Sequence, residues 1–302
     1  MFHPKYILSW IGIGVTFIIA YMPWRIKLII TYVLSNIMWL LAYKRKRIVR
    51  TNIALCLPHL SIQEQNKLAK DSIYDICLSL LETCAVLWRC SNTNFLLNNF
   101  EISGLEYLKK AQHEGKAVLL LGGHFGSLDT ALSLLLRLVY PKLKVHCTFQ
   151  ASGNKVWDWF ISWRRQKIHP AQHPERNNTR EIINILQRKG IIWMAVDQDP
   201  TGIKQKIFIP FMGVTAGTMT APARLAANYN AVILTFVWNR VGKKQQYRLQ
   251  ISGPITIAQE QQNTVISINQ AIEKAIMHNP QQYWWVHKRF KTRPPGEAKV
   301  YV

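Results

Sequence analysis

Residues 116–139 read KAVLLLGGHFGSLDTALSLLLRLV, and inside this apolar stretch stand a histidine, His124, and an aspartate five residues on, Asp129. An imidazole suits general-base work near neutral pH, and a carboxylate on its second ring nitrogen fixes the tautomer and stabilises the imidazolium. Asp129 is the sequence-local candidate for that carboxylate. Five residues on a regular helix subtend about 140°, so two helical side chains at this spacing would not face one another. His124 is therefore expected in the turn before a helix and Asp129 in its first turns. Taken alone, the pair also fits an N-cap or core role.

Gly122 and Gly123 precede the histidine. A helix N-terminus offers free backbone N–H groups, and glycines beside it allow close approach of an oxyanion or phosphate. The sequence has no GxSxG elbow, and Cys147 has no local catalytic signature, which points to direct attack by a substrate hydroxyl. Asp197, Gln198 and Asp199 follow the apolar run IIWMAV, a place for polar groups that orient a sugar or support a base. Two acids this close also fit magnesium, but no further ligand cluster accompanies them, so hydrogen bonding is preferred and no metal is expected. In the terminal block Tyr283, Trp284 and Trp285 precede His287, Lys288, Arg289, Lys291 and Arg293. Such a block can stack nucleotides, sit at a membrane interface facing lipid phosphates, or place its aromatics in the core with its cations solvated. Arg289 and Lys291 are the candidates for seating an anionic substrate.

These groups need a scaffold, and the pattern from Lys116 onward supplies one. Buried-strand runs (AVLLLG, LKVHCTFQ, IIWMAVD, AVILTFVW, QYRLQISG) alternate with helical stretches, the last from Val265 to His278. The expectation is an α/β fold with a central mixed sheet flanked by helices, in which strand ends and helix N-termini converge on a crevice. Upstream, Ser61 and Glu64 form a capping-box pattern ahead of a long helix through about Trp88. Glu82 on that helix reads as solvated, paired with Arg89, or buried near the site.

The chain has 302 residues, 49% of them hydrophobic, enough for a full core. Thirty-eight Lys and Arg against sixteen Asp and Glu give a formal charge of +22, which favours an anionic partner: nucleic acid, an acidic membrane surface or an acidic protein. Five cysteines without a CxxC pair indicate neither a disulfide framework nor a zinc site. YILSWIGIGVTFIIAYM, residues 6–22, is uncharged and just long enough to span a bilayer. The second apolar stretch, 26–43, carries Lys27 and Asn36 and suits an interfacial helix better. A signal peptide would need more charge before the apolar run and a small-residue cleavage site. Residues 1–43 are thus expected to form a single anchor with its companion, and residues 44–302 one catalytic body, kept in the cytoplasm by the basic run from Lys44 to Arg50.

HFGSLD matches the HxxxxD box of the lipid A biosynthesis acyltransferases, the lauroyl- and myristoyl-type enzymes of bacterial inner membranes, and the chain resembles that family along nearly its whole length. Further matches are KRKRIVRTNIALCLP, SWRRQ, LQRKGIIWMAVDQD, FIPFMG and the closing NPQQYWWVHKRFKTRPPG. The resemblance implies a glycerol-phosphate-acyltransferase-like fold and transfer of a fatty acyl chain from acyl carrier protein to a 3-hydroxyacyl hydroxyl of an anionic lipid A precursor, at the inner membrane and without a cofactor. It implies His124 as base, Asp129 as its support, and Arg165, with Arg164 as its neighbour and substitute, as phosphate or oxyanion partner; Arg176 aligns less securely. Another lipid acceptor, a lysophospholipid or glycolipid, is the runner-up. A membrane-associated nucleic-acid binder lacks any RRM, zinc-finger or KH signature, so no nucleic acid is expected.

Overall fold

The computed structural model describes residues 3–89, 100–139, 142–168, 178–242 and 246–301. Four helices come first: α1 (Ile7–Tyr21), α2 (Trp24–Leu41), α3 (Tyr43–Cys56) and α4 (Ile62–Trp88). The alternating region then runs β1 (Phe100–Ser103), α5 (Leu105–His113), β2 (Val118–Gly122), α6 (Leu128–Val139), β3 (Val145–Cys147), α7 (Lys155–Ile168), α8 (Thr179–Gln187) and β4 (Ile191–Ala195). A hairpin of β5 (Lys206–Phe211) and β6 (Val214–Met219) follows, then α9 (Ala221–Tyr229), β7 (Val232–Arg240), β8 (Tyr247–Ile255) and α10 (Gln261–His278). Arg176 lies outside the described residues.

Six strands form one sheet in the order β1-β8-β7-β2-β4-β3. Every neighbouring pair is parallel except β7 with β8, so the sheet is mixed, as the alternation predicts. β2 lies between β4 and β7, and all five of its residues, VLLLG, are buried. A strand covered on both faces needs such a continuous apolar run. The hairpin β5–β6 forms a separate antiparallel pair. β6 reads VTAGTM, with too little apolar alternation to announce a strand.

The capping box is present: Glu64 N–H donates to Ser61 Oγ at 3.3 Å, and Ser61 N–H to Glu64 Oε2 at 2.7 Å. The 27-residue helix it starts, about 40 Å long, is the post against which the N-terminal helices lie. α1 and α2 both lie along α4: Trp88 Nε1 donates to Thr16 Oγ1 at 2.8 Å, while the Met38 and Cys77 sulfurs are 4.0 Å apart. Their polarity is inverted relative to a soluble amphipathic helix. Ser9, Lys27, Thr31 and Ser35 are buried, whereas Leu8, Ile11, Phe17, Ile18, Ile29, Val33, Leu40 and Leu41 are exposed. Lys27 donates to the Ala20 carbonyl at 3.2 Å, so its charge does not interrupt the apolar outer face of α2. Both helices are long and apolar enough to cross a membrane by length and composition.

α4 is tied to the sheet by charge. Asp75 and Glu82, two turns apart, both bond the buried guanidinium of Arg240 on β7, Glu82 Oε1 at 3.0 Å, and Tyr247 donates to Glu82 at 2.9 Å. Burial raises both carboxyls above the ordinary range although Arg240 opposes it. Of the readings open for Glu82, burial is the one observed, with Arg240 and not Arg89 as its ion-pair partner.

Candidate active site

The parallel register of β2 and β4 pairs Gly122 with Ala195. Two residues beyond each strand come His124 and Asp197, side by side at the carboxyl end of the sheet, the usual location of a site in such folds. The Asp197 carboxylate accepts from His124 Nδ1 at 2.8 Å with Oδ1 and from the His124 backbone N–H at 2.9 Å with Oδ2. Burial, then the charge of Asp197, holds the hydroxyl of buried Tyr283 well above its ordinary value. Burial would push the Asp197 carboxyl up, but His124 and its hydrogen bonds outweigh this and hold it at about 2. Asp197 is thus a fixed anion on Nδ1, which leaves Nε2 of His124 to take a proton from a substrate.

Asp129 does not fill the place the sequence suggests. It sits in the first turn of α6, as expected, but accepts from Arg165 Nε of α7 at 2.8 Å. The helical phase that separates His124 from Asp129 locally is not undone by any bend, and the imidazole finds its carboxylate on the neighbouring strand. Arg165 consequently has a carboxylate partner, while Arg164 points away from the site to the Leu87 and Trp88 carbonyls at 2.7 and 2.8 Å. His124, Asp129 and Arg165 still share one cavity of about 430 Å³, walled by Leu128, Leu132 and Leu136 of α6 together with Cys147, Phe149, Ile168 and Trp193. The lining is mixed, with the polar groups of His124, Asp129, Arg165 and Gln198 set beside these apolar side chains, as in ligand sites that combine apolar walls with a few placed polar groups. Burial pushes the Cys147 thiol up to about 12, so it is no thiolate nucleophile.

The glycines serve the protein's own packing. A Cβ on Gly122 would come within 2.7 Å of the Phe236 carbonyl of β7, and one on Gly123 within 2.9 Å of the Phe125 ring and 3.4 Å of the Asp197 carboxylate. Neither therefore opens space for an incoming anion. Gly126 has the strictest requirement, with φ +41° and the Trp238 indole 3.2 Å from where a Cβ would stand.

The terminal block straps this loop down. Phe125 bridges to Tyr283, Gly126 N–H donates to the Gln282 carbonyl at 2.9 Å, and Trp284 N–H donates to the His124 carbonyl at 3.0 Å. Tyr283 and Trp285 are core residues, so the interfacial and nucleotide-stacking readings do not hold for them. Arg289 is likewise buried, 3% exposed, with its guanidinium on the Gly217 carbonyl at 2.6 Å, on Thr218 Oγ1 at 2.8 Å and over the Phe211 ring. It clamps the block to the β5–β6 hairpin and has no surface to offer a substrate. Lys291 remains exposed. Asp199 accepts from Thr292 N–H at 2.7 Å and Thr292 Oγ1 at 2.9 Å, which makes it a staple for the same block.

Two further groups complete the site. The Gln198 amide nitrogen lies 3.1 Å from Nε2 of His124 and 3.0 Å from Nε2 of His287, whose ring centroid is 5.1 Å from that of His124. Gln198 is one of the polar residues expected after the IIWMAV run, whereas His287 offers no signal beyond membership of the basic block. Burial, then the neighbouring His124, lowers the His287 imidazole to about 4. Between that value and the unfolded value of about 6.5, the unfolded chain binds a proton that the folded chain refuses. His287 therefore makes stability fall as pH drops from about 6.5 to about 4. Replacing His287 with Gln is expected to flatten that dependence, read as urea midpoints at pH 7 and pH 5; an unchanged difference between the midpoints would contradict the assignment.

Among the described residues no cluster of three or more His, Cys, Asp or Glu side chains could hold a metal ion. Comparison with known proteins gives the site its context. Residues 1–292 match the family described as bacterial lipid A biosynthesis acyltransferase. The lipid A biosynthesis palmitoleoyltransferase of Escherichia coli (strain K12) is 31% identical over 99% of this chain and 96% of its own length. The lauroyltransferase of the same organism is 28% identical over 100% and 97%, and its myristoyltransferase 23% identical over 99% and 91%.

Proposed function

The chain belongs to the bacterial lipid A biosynthesis acyltransferase family, and we propose that it moves a fatty acyl chain from acyl carrier protein to the hydroxyl of a 3-hydroxyacyl chain on a lipid A precursor. The observation that carries this reading is the His124–Asp197 pair, with His124 lining a cavity that leucines of α6 wall on one side. Nε2 of His124 removes the proton of the acceptor hydroxyl as its oxygen attacks the thioester carbonyl. Asp197, already an anion, stabilises the imidazolium that forms. The tetrahedral intermediate collapses with cleavage of the C–S bond, and the imidazolium returns its proton to the departing thiolate. No protein nucleophile and no cofactor enters this scheme. Arg165, held by Asp129 at the cavity wall, supplies positive potential toward the reacting carbonyl, and exposed Lys291 is available to the anionic acceptor.

The apolar outer faces of α1 and α2 support attachment to the inner membrane, where lipid solvates them, with the basic residues that follow on the cytoplasmic side. The excess of 38 basic over 16 acidic residues steers both the acidic carrier protein and the phosphorylated acceptor. Mass spectrometry of lipid A from cells with and without the protein tests the reaction. One missing secondary acyl chain is the expected result, and unchanged lipid A would refute it.

The leucines of α6 at positions 128, 132 and 136 recur every four residues and form one wall of the cavity, so they are placed to limit the acyl chain. Leu132→Trp is expected to shift preference toward chains about two to four carbons shorter, because the indole adds volume where methylenes would lie. Competition between acyl donors of different length measures it. A uniform loss for all lengths would mean that the acyl chain does not occupy this hollow.

A further inference from the structure

A second cavity, of about 390 Å³, lies where the start of α3 meets the C-terminal segment. Lys44 and Arg47 of α3 and Lys288 of the terminal block line it, with Tyr43, Thr51 and Tyr301. None of the three cations is in an ion pair among the described residues. Among the described residues no acidic side chain lines the cavity, and burial pushes the Tyr301 phenol up to about 12, so it too is neutral at physiological pH. The imbalance extends beyond the lining. The first 63 residues carry eight Lys and Arg and no Asp or Glu. Residues 280–301 carry five Lys and Arg against Glu297 alone, which is taken by Arg293. Three like charges gathered without a counter-ion repel one another, a cost that an anion in their midst would reverse.

The cavity's place says which anion. It opens immediately after α2, whose last turn exposes Leu40 and Leu41, with Tyr43 exposed beside them. An apolar helix face ending in an aromatic and a set of cations is the order of chemistry met on leaving a bilayer: hydrocarbon, interface, phosphate. The walls are also preformed, since Tyr301 donates to Asn52 Oδ1 and accepts from Phe290 N–H at 3.2 Å. We infer that this cavity binds the phosphate headgroup of an anionic membrane lipid, at a site separate from the acyl-transfer cavity. It also adjoins the strap over His124. Asn52, one residue beyond Thr51, donates to the Trp285 and His287 carbonyls at 2.7 Å each, so a bound headgroup braces the segment that carries His287.

The full chain in neutral maltoside micelles is titrated by calorimetry with dihexanoyl-phosphatidylglycerol, dihexanoyl-phosphatidylcholine and inorganic phosphate. Phosphatidylglycerol is expected to bind saturably and at least about tenfold more tightly than the other two. The variant K44Q/R47Q/K288Q should lose at least about tenfold of that affinity, whereas K109Q/K110Q/K274Q, which removes the same charge from exposed positions elsewhere, should stay within about twofold. Equal losses in the two variants would reduce the effect to net charge and overturn the site. So would phosphatidylcholine binding as tightly as phosphatidylglycerol, and inorganic phosphate binding as tightly would overturn the lipid assignment. Binding is read without turnover, so the result stands apart from the acyl-transfer reading.

Discussion

Replacing His124 with alanine is expected to leave a folded protein whose acyl transfer is slower by about 10²- to 10⁴-fold, the range general-base catalysis contributes. The fold should survive because the loop is held by its backbone and not by the imidazole. Gly126 N–H, the His124 carbonyl and Trp238 Nε1 on the Phe125 carbonyl all keep their partners in the variant. The substitution also removes a bond from Asp197, which is buried, and some loss of stability is expected with it. Thermal melting and circular dichroism check the fold, and initial rates with saturating donor check the chemistry. A folded variant with near-normal turnover would remove His124 from the mechanism.

The second large effect is at Asp197. Asparagine is nearly isosteric, but if its amide NH₂ faces Nδ1, the imidazole must present a lone pair there and carry its proton on Nε2, the wrong tautomer for a base. Loss of the anion also removes the support for the imidazolium. Together these predict a fall in kcat/KM of about 10²- to 10⁴-fold for Asp197→Asn. At Asp129 the same substitution leaves the imidazole's partner intact and loosens Arg165, which is part exposed, so a fall of about tenfold or less is expected. The acid limb carries a separate signature. Since the Asp197 carboxyl is held at about 2, below its unfolded value of about 3.9, it contributes stability above pH 4 that is lost as pH falls toward 2. The Asn variant should lack that component.

Much of this was readable in the residues because it is local. Strand–helix alternation, the capping box at Ser61 and the turn that carries His124 depend on neighbours within a few positions, and the observed α10 extends the anticipated terminal helix by only four residues, to Gln261. What was not readable depends on register between distant segments. Asp197 lies 73 residues from His124 in sequence, and only the pairing of Gly122 with Ala195 makes them neighbours. The spacing in HFGSLD names one carboxylate; the sheet supplies the other. Arg289 failed for a related reason. A basic run looks like a solvated surface until the Phe211 ring, the Gly217 carbonyl and the Thr218 hydroxyl of a distant hairpin are seen to enclose one of its members. The Lys27 charge misled in the opposite direction: it suggested an interrupted apolar face, whereas it points inward to the Ala20 carbonyl and leaves the outer face of α2 unbroken.

The carboxylate serving His124 comes from the end of β4 and not from the helix that follows the histidine. Measuring kcat/KM for Asp197→Asn and Asp129→Asn side by side, with acyl carrier protein thioester as donor and the lipid A precursor as acceptor, tests it most directly. The Asp197 variant is expected to be the slower by at least about tenfold, with both proteins folded. An Asp129 variant slower than a folded Asp197 variant would contradict it.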